Sequence, residues 1–317
     1  MTRISTYGQN QILISQMLRN QASFQESQVQ VVTGKKAINF KGFANESSAL
    51  LSAKTVQTQT NSFIGSNQQL MQRLELYNLS LGEIGNIADT LREDMIKAVN
   101  LNSGIGFIDK IESQLDRLIS QMSTTYEGKF IFAGNSSETN PINISDTASL
   151  LALPASANAF QNSQLKPSLT VDENQTLEYG VLADDAAGAV LEAMYRILQF
   201  ENGTLPTGAG AFAPAGSFSD PLTPNQRDFI ISELTNAVAG IDAARQAEAK
   251  NGVNLQMVDR LIDRQNEELG FLGTFIHDVE DIDAATAISK LNQDQTTLEA
   301  SLQTIARLNQ ITLLQFI

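Results

Sequence analysis

From Leu70 an apolar residue recurs in a 4-3 alternation through Leu74, Tyr77, Leu81, Ile84, Ala88, Leu91, Met95 and Ala98 without a miss. That spacing places every listed side chain on one stripe of an α-helix, and no strand can present it on one face. The stretch is roughly 43 Å long at 1.5 Å per residue. A second seam runs near the C-terminus through Ala284, Ile288, Leu291, Leu298, Leu302 and Ile305, interrupted only by Gln295. A helix with such a seam needs a partner. The partner is in this chain, in another copy of it, or in a different protein.

The chain's 317 residues can bury a sizeable core. Apolar residues make up 42%, yet aromatics are only 6% and tryptophan is absent, so aliphatic side chains must do most of the packing. The net charge of −14 argues against nucleic acid and against an anionic membrane surface, which both draw on excess Lys and Arg. Without cysteine there is no disulfide, no thiolate nucleophile and no thiolate zinc site. The absence suits a protein exported unfolded, and equally a bacterial chain that merely lacks the residue. No apolar run is long enough for a membrane span. Met1 to Gln11 is polar, without the apolar core of a cleaved secretory signal, so any export is expected to retain the N-terminus.

Residues 3–33 read as a helix with two adjacent stripes. One holds Leu13, Met17, Phe24 and Val31; the other holds Ile4, Tyr7, Ile14, Leu18 and Val32. Charge is sparse there, and Gly34 suits a C-cap. A second helix is expected from about Ser47 to Leu101, broken by Gly104 and Gly106. A third follows, with Ile108, Ile111, Leu115, Leu118 and Met122 on its seam. Lys129 to Ala133 reads as a strand closed by Gly134-Asn135, and residues 137–182 as a small insertion of strands and loops. Helix returns near Asp185. A flexible Gly/Pro/Ala loop occupies 202–224, and Pro224 opens the next helix. That helix carries Ile231, Leu234, Val238, Ile241, Leu255, Val258, Ile262, Leu269, Leu272 and Ile276. Residues 284–317 form the last one.

Little in the chain points to catalysis. The single histidine, His277, sits among Asp278, Glu280, Asp281 and Asp283. These could ligate a cation or move a proton. The plainer reading is a polar hinge whose carboxylates favour the next helix N-terminus. Gly104-Ile105-Gly106 and Gly208-Ala209-Gly210 lack the Lys-Ser/Thr of a phosphate loop. There is no Gly-x-Ser-x-Gly segment. No catalytic, cofactor or metal residue is assigned.

Four segments resemble the flagellin superfamily, and within it the hook–filament junction proteins, the third of the hook-associated proteins. They are Thr2 to Thr6; Val32 to Lys36 with Ile38-Asn39; Gly128 to Asn135 with Glu138 to Pro141; and the run from Asp281 to Leu314. The resemblance leaves residues 142–225 uncovered.

The expected fold is mainly α: a long antiparallel helical bundle or coiled coil formed by the N- and C-terminal halves, with a small β-rich inserted domain. Expected domains are a terminal assembly domain (1–40 with 280–317), a bundle domain (41–136 with 183–279) and the insertion at 137–182. The terminal seams Ile4, Ile14, Met17, Leu18, Phe24, Val31, Ile288, Leu291, Leu298, Leu302, Ile305 and Leu308 are expected to pack between subunits. Leu70, Leu74, Tyr77, Leu81, Ile84, Leu91, Met95, Leu234, Val238, Ile241, Leu255, Ile262 and Leu269 are expected to close the bundle within the chain. The resemblance implies a non-enzymatic structural part of the bacterial flagellum, extracellular and exported by the flagellar type III route. Its implied partners are other copies of itself, the first hook-associated protein on the hook side, flagellin on the filament side, and a cytoplasmic chaperone at the C-terminal region. Two alternatives stay open: filament flagellin, and a flagellin-like surface protein that binds polysaccharide through the insertion, where residues 137–225 offer Phe160, Tyr179, Phe212 and Phe218.

Overall fold

A computed structural model of the chain describes residues 2–205, 212 and 214–314. The chain is mainly α-helical and divides into two compact units. One joins Met1–Asn61 to Asn266–Ile317; the other is Ser62–Gln265. The division falls inside two long helices, whereas the sequence reading puts its boundaries near residues 40 and 280. Residues 137–182 fall within the second unit.

In the first unit, α1 (Thr2–Thr33) packs antiparallel on α7 (Ala284–Leu314). Gly34 ends α1 in the left-handed conformation at φ 68°, and its N–H returns to the Gln30 carbonyl at 2.9 Å. The chain then pairs with the residues before α7: the Ile282 N–H donates to the Gly34 carbonyl and the Lys36 N–H to the Glu280 carbonyl. A 3-10 segment, Phe40–Glu46, leads into α2 (Ser47–Leu101). The segment folds back tightly, and a Cβ at Gly42 would lie 2.3 Å from the Ala37 Cβ. Phe43 thereby reaches a small core with Leu50 and Ala53 of α2 and with Ile276 and Val279 of α6 (Pro224–Glu280).

The second unit is a four-helix bundle of α2, α3 (Phe107–Met122), α5 (Ala183–Glu201) and α6. Lys110–Asp94 and Arg117–Glu83 pairs set α3 antiparallel to α2. Arg245–Asp89 at 2.6 Å with Asn251 on the Leu74 carbonyl does the same for α6 and α2, and Arg196–Glu233 at 2.7 Å with the Val190–Gly240 approach for α5 and α6. Along α2, the stripe Leu70, Leu74, Tyr77, Leu81, Ile84, Leu91 and Met95 is buried throughout. On α6 the expected seam is buried at Ile241, Val258, Ile262 and Ile276, but before Ile241 the buried stripe is displaced by one residue. Val238 and Ile231 face solvent, and Leu234 and Leu255 are half-buried, as is Leu269 in the first unit. Ile241 and Ile262 are buried, but their interior neighbours are Ala237, Gly240, Ala244, Asn251 and Gln265. Close helix approach is the reason. The Val190 Cγ2 on α5 is 2.5 Å from where a Cβ on Gly240 would stand.

Rings of Phe107, Phe200, Phe218 and Phe229 close one end of this bundle, with the Phe200 and Phe229 centroids 4.3 Å apart. The strand expected at 129–133 is shorter than its apolar run. A two-residue hairpin joins β1 (Thr125–Tyr126) and β2 (Lys129–Phe130), after which Ile131–Ala133 turn into a buried 3-10 segment. The rest of the insertion holds a helix α4 (Thr147–Leu151) and the hairpin of β3 (Ser168–Asp172) with β4 (Gln175–Glu178). It packs against α2, α5 and α6. Tyr195 of α5 donates to the Leu153 carbonyl at 2.7 Å. Asn67 of α2 and Gln265 of α6 both donate to the Val171 carbonyl, at 2.9 and 3.0 Å. The Gly208-Ala209-Gly210 segment lies outside the described residues.

Candidate assembly surface

The α1–α7 pair carries the candidate site, and its inner seam is more polar than the apolar spacing suggests. On α1 the inward stripe is Leu13, Met17, Asn20, Phe24, Ser27 and Val31; on α7 it is Ala287, Leu291, Asp294, Leu298, Ser301 and Ile305. Each set keeps the 4-3 spacing of a two-helix seam. The polar members find each other across it. Asn20 Nδ2 donates to Ser301 Oγ at 2.7 Å. Ser23 Oγ donates to Asp294 Oδ2 at 3.0 Å, and the fully buried Ser27 donates to the same oxygen. Lys290 Nζ reaches Gln30 Oε1 at 3.4 Å. Hydrogen bonds of this kind set register while adding less net stability than apolar burial.

The expected assembly residues therefore fall into two groups. Met17, Phe24, Val31, Leu291, Leu298 and Ile305 are half-buried on the inward stripes, so part of the terminal seam is closed within the chain. Ile14, Leu18, Ile288 and Leu302 point away from it, 50%, 56%, 50% and 51% exposed. Ile12 and Val32 are exposed as well. The side chains of Ile4 and Leu308 lie outside the described residues. The inward polar residues Asn20, Ser27, Asp294 and Ser301 were legible only as members of the same heptad, because a search for apolar periodicity passes over them.

At the base of the pair the acidic run is accounted for by local structure. Lys35 Nζ sits 2.5 Å from Asp281 and 3.1 Å from Glu280, and Lys54 of α2 also pairs with Glu280. Lys36 Nζ donates to the Asp278 carbonyl at 2.6 Å. The hydrogen bond to Asp281 holds the Lys35 ammonium above its ordinary range, against the opposing effect of burial. Burial would raise the Glu280 carboxyl, but hydrogen bonds from Lys54 and Lys35 outweigh it and hold the group low. The Lys35 contact likewise lowers Asp281. Asp283 caps α7: its carboxylate accepts from the Thr286 N–H at 2.8 Å, which lowers its pKa. His277 Nε2 stands 3.1 Å from Asp281 on an exposed helix end. Among the described residues no group of His, Cys, Asp and Glu is arranged to hold a metal ion, and no helix is long and apolar enough to cross a membrane.

No protein-family model and no curated protein matches the sequence. Solved structures do match. One is a flagellar hook-associated protein of Vibrio parahaemolyticus, with a TM-score of 0.55 at 15% identity, covering 74% of this chain and 97% of that one. Another is FlgL of Bacillus cereus, with a TM-score of 0.51 at 12% identity, covering 72% and 99%. This chain shares the fold of flagellar hook-associated proteins. At such identities the likeness concerns the path of the backbone. The likeness covers about three quarters of this chain, filled with a different set of side chains.

Proposed function

We propose that the chain is a structural subunit of the bacterial flagellum, placed where the hook meets the filament and built in through its terminal helices. The carrying observation is the fold likeness, which extends over nearly the whole length of both solved neighbours. The terminal pair supports it. α1 and α7 close one stripe on each other and leave Ile14, Leu18, Ile288 and Leu302 on faces open to a neighbouring subunit. Covering a side chain that is half exposed contributes about 1 kcal/mol, so several such residues repeated around a ring give cohesion without covalent links. In this reading the partners are further copies of the chain, the first hook-associated protein on one side and flagellin on the other. A cytoplasmic chaperone holds the C-terminal region before type III export. The subunit's role is mechanical rather than catalytic, and it works outside the cell.

Immunogold labelling of intact cells tests the placement. Label confined to the hook end is the expected result; label along the filament would assign the chain to filament flagellin instead. The quadruple substitution Ile14→Ser, Leu18→Ser, Ile288→Ser and Leu302→Ser tests the surface. It should leave the helix content of the monomer unchanged and abolish incorporation into flagella. Normal incorporation would reject those faces as the assembly surface.

A further inference from the structure

The second unit contains an arginine that is held firmly and yet has no carboxylate. Arg92, Arg117, Arg196, Arg245 and Arg264 each lie within ion-pair distance of an acidic side chain. Among the described residues Arg73 of α2 forms no such pair, nor do Arg227 and Arg260, but those two are exposed whereas Arg73 is half-buried. Its guanidinium lies 5.2 Å from the centroid of the Tyr126 ring and 5.9 Å from that of Tyr179, and Nη1 donates to the Tyr179 hydroxyl at 2.6 Å. Two aromatic rings and one hydrogen bond fix the plane of the fork, while its remaining N–H donors stay available. In a chain with 35 acidic and 21 basic residues, a half-buried arginine without an acid is an exception that needs a reason.

Arg73 lines a cavity of about 200 Å³. Its other polar walls are Tyr77, Tyr126, Lys129, Asn135 and Ser137, and no Asp or Glu takes part in this lining, although Glu127 lines the neighbouring hollow that Arg73 also borders. The β1–β2 hairpin sets this up. Glu127 and Gly128 both have positive φ, 52° and 77°, which makes the two-residue turn that pairs Tyr126 with Lys129. The Phe130 N–H donates to the Ser137 carbonyl at 2.8 Å and holds the Ser137 wall in place. The Glu138 carboxylate, 3.8 Å from Lys129 Nζ, is 79% exposed and lies outside the lining. Two cationic residues, Arg73 and Lys129, together with Asn135 and Ser137 thus line a space smaller than the roughly 300–1,000 Å³ of drug-sized sites.

We propose that this cavity binds a small hydroxylated carboxylate, of the sugar-acid class. Arg73 takes the carboxylate on its planar fork, the geometry that guanidinium matches best. Lys129 supplies the second positive charge from the rim. The Ser137 hydroxyl and the Asn135 amide meet the ligand's hydroxyls. A bare oxyanion would satisfy the cations and leave those two walls unused. This inference stands apart from the flagellar reading, since it concerns only the Arg73 cavity.

Calorimetric titration of the full chain tests it, with glucuronate, glucose and inorganic sulfate as probes. Glucuronate is expected to bind, with glucose and sulfate each at least about tenfold weaker. Arg73→Lys, which keeps the charge and loses the fork, should weaken glucuronate roughly tenfold, the scale of one hydrogen bond to a charged group. Lys129→Met, at an exposed side chain that the fold does not need, should weaken it too. It keeps the test decisive if Arg73→Lys fails to fold. Absence of glucuronate binding overturns the proposal, as does binding that neither substitution reduces or sulfate binding as tight as glucuronate. Loss of self-association in both variants without any glucuronate binding would also overturn it, in favour of an acidic side chain from a second copy.

Discussion

Substituting Gly240 by alanine separates packing from helix propensity at one position in α6. A Cβ built there stands 2.5 Å from Val190 Cγ2, 3.1 Å from Val190 N and 3.2 Å from Val190 Cα. Carbon atoms rest at about 3.5–4.0 Å, so α5 must retreat by roughly 1 Å at the crossing. A rotamer change is insufficient, because two of the three close atoms are backbone and Val190 is fully buried. Overpacking of this kind costs about 1–3 kcal/mol. Alanine returns about 0.8–1.0 kcal/mol of helix propensity. The net result is a loss of up to about 2 kcal/mol. Gly252 supplies the control: it sits in the same helix and the same unit, with no atom within 4 Å of its would-be Cβ. Gly252→Ala keeps only the propensity gain and should stabilise by about 1 kcal/mol. Subtracting one variant from the other cancels propensity and leaves the clash, about 1–3 kcal/mol. Urea unfolding followed by far-UV circular dichroism measures both. Adding Val190→Ala to Gly240→Ala should recover part of the loss, giving a non-additive cycle. Equal stability of the two glycine variants would refute the close approach of α5 to α6.

Three other consequences are open to measurement. Asn67→Ala removes the buried donor to the Val171 carbonyl and to Gln265 Oε1, so the second unit should lose about 1–3 kcal/mol, read as a lower urea midpoint; an unchanged midpoint would mean that the β3–β4 hairpin is anchored otherwise. Asp294→Ala leaves Ser27 without its acceptor at the centre of the α1–α7 seam and should speed amide exchange over residues 13–31 while sparing α3; equal protection in both proteins would show that the polar pairs are dispensable. The ion cluster predicts stability limits at both ends of the pH scale. Glu280 and Asp281 are held below their ordinary values of 4.5 and 3.8, so their contribution is complete above those values and fades as pH falls through the lower folded ones. Lys35 is raised above 10.5, so its contribution is complete below that value and fades as pH rises through the folded one. Thermal unfolding of Glu280→Gln should therefore differ from the parent at pH 7 and converge with it at low pH, and parallel profiles would contradict the cluster.

Much of the helical framework is readable from punctuation. Gly34 ends α1, Gly104 and Gly106 separate α2 from α3, and Pro224 opens α6. The insertion was harder to read. Lys129 to Ala133 has the β-branched and aromatic content of a strand, yet Ile131 to Ala133 turn into the bundle because Phe132 packs edge-on against Tyr77, 5.4 Å between centroids. The Arg73 cavity gave no local signal. Its members come from α2, the hairpin and the residues after it, and only folding brings them together. The polar half of the terminal seam is hidden for a related reason: the buried Ser27 and the half-buried Asp294 form a hydrogen-bonded pair, and neither residue alone predicts the other.

By itself the sequence determined that the chain is built from long helices and which face of α2 is interior. Continuous aliphatic burial along Leu70 to Ala98 has only one period consistent with it. Tertiary structure decided which stripe of each terminal helix is spent inside the chain and which is left for a neighbour. It also decided that α6 turns Ala237, Gly240 and Ala244 inward in place of Val238. The physical reason is that large apolar residues announce burial through their own transfer free energy. Small and polar residues become interior through helix separation and hydrogen-bond partners, which exist only once the helices have met.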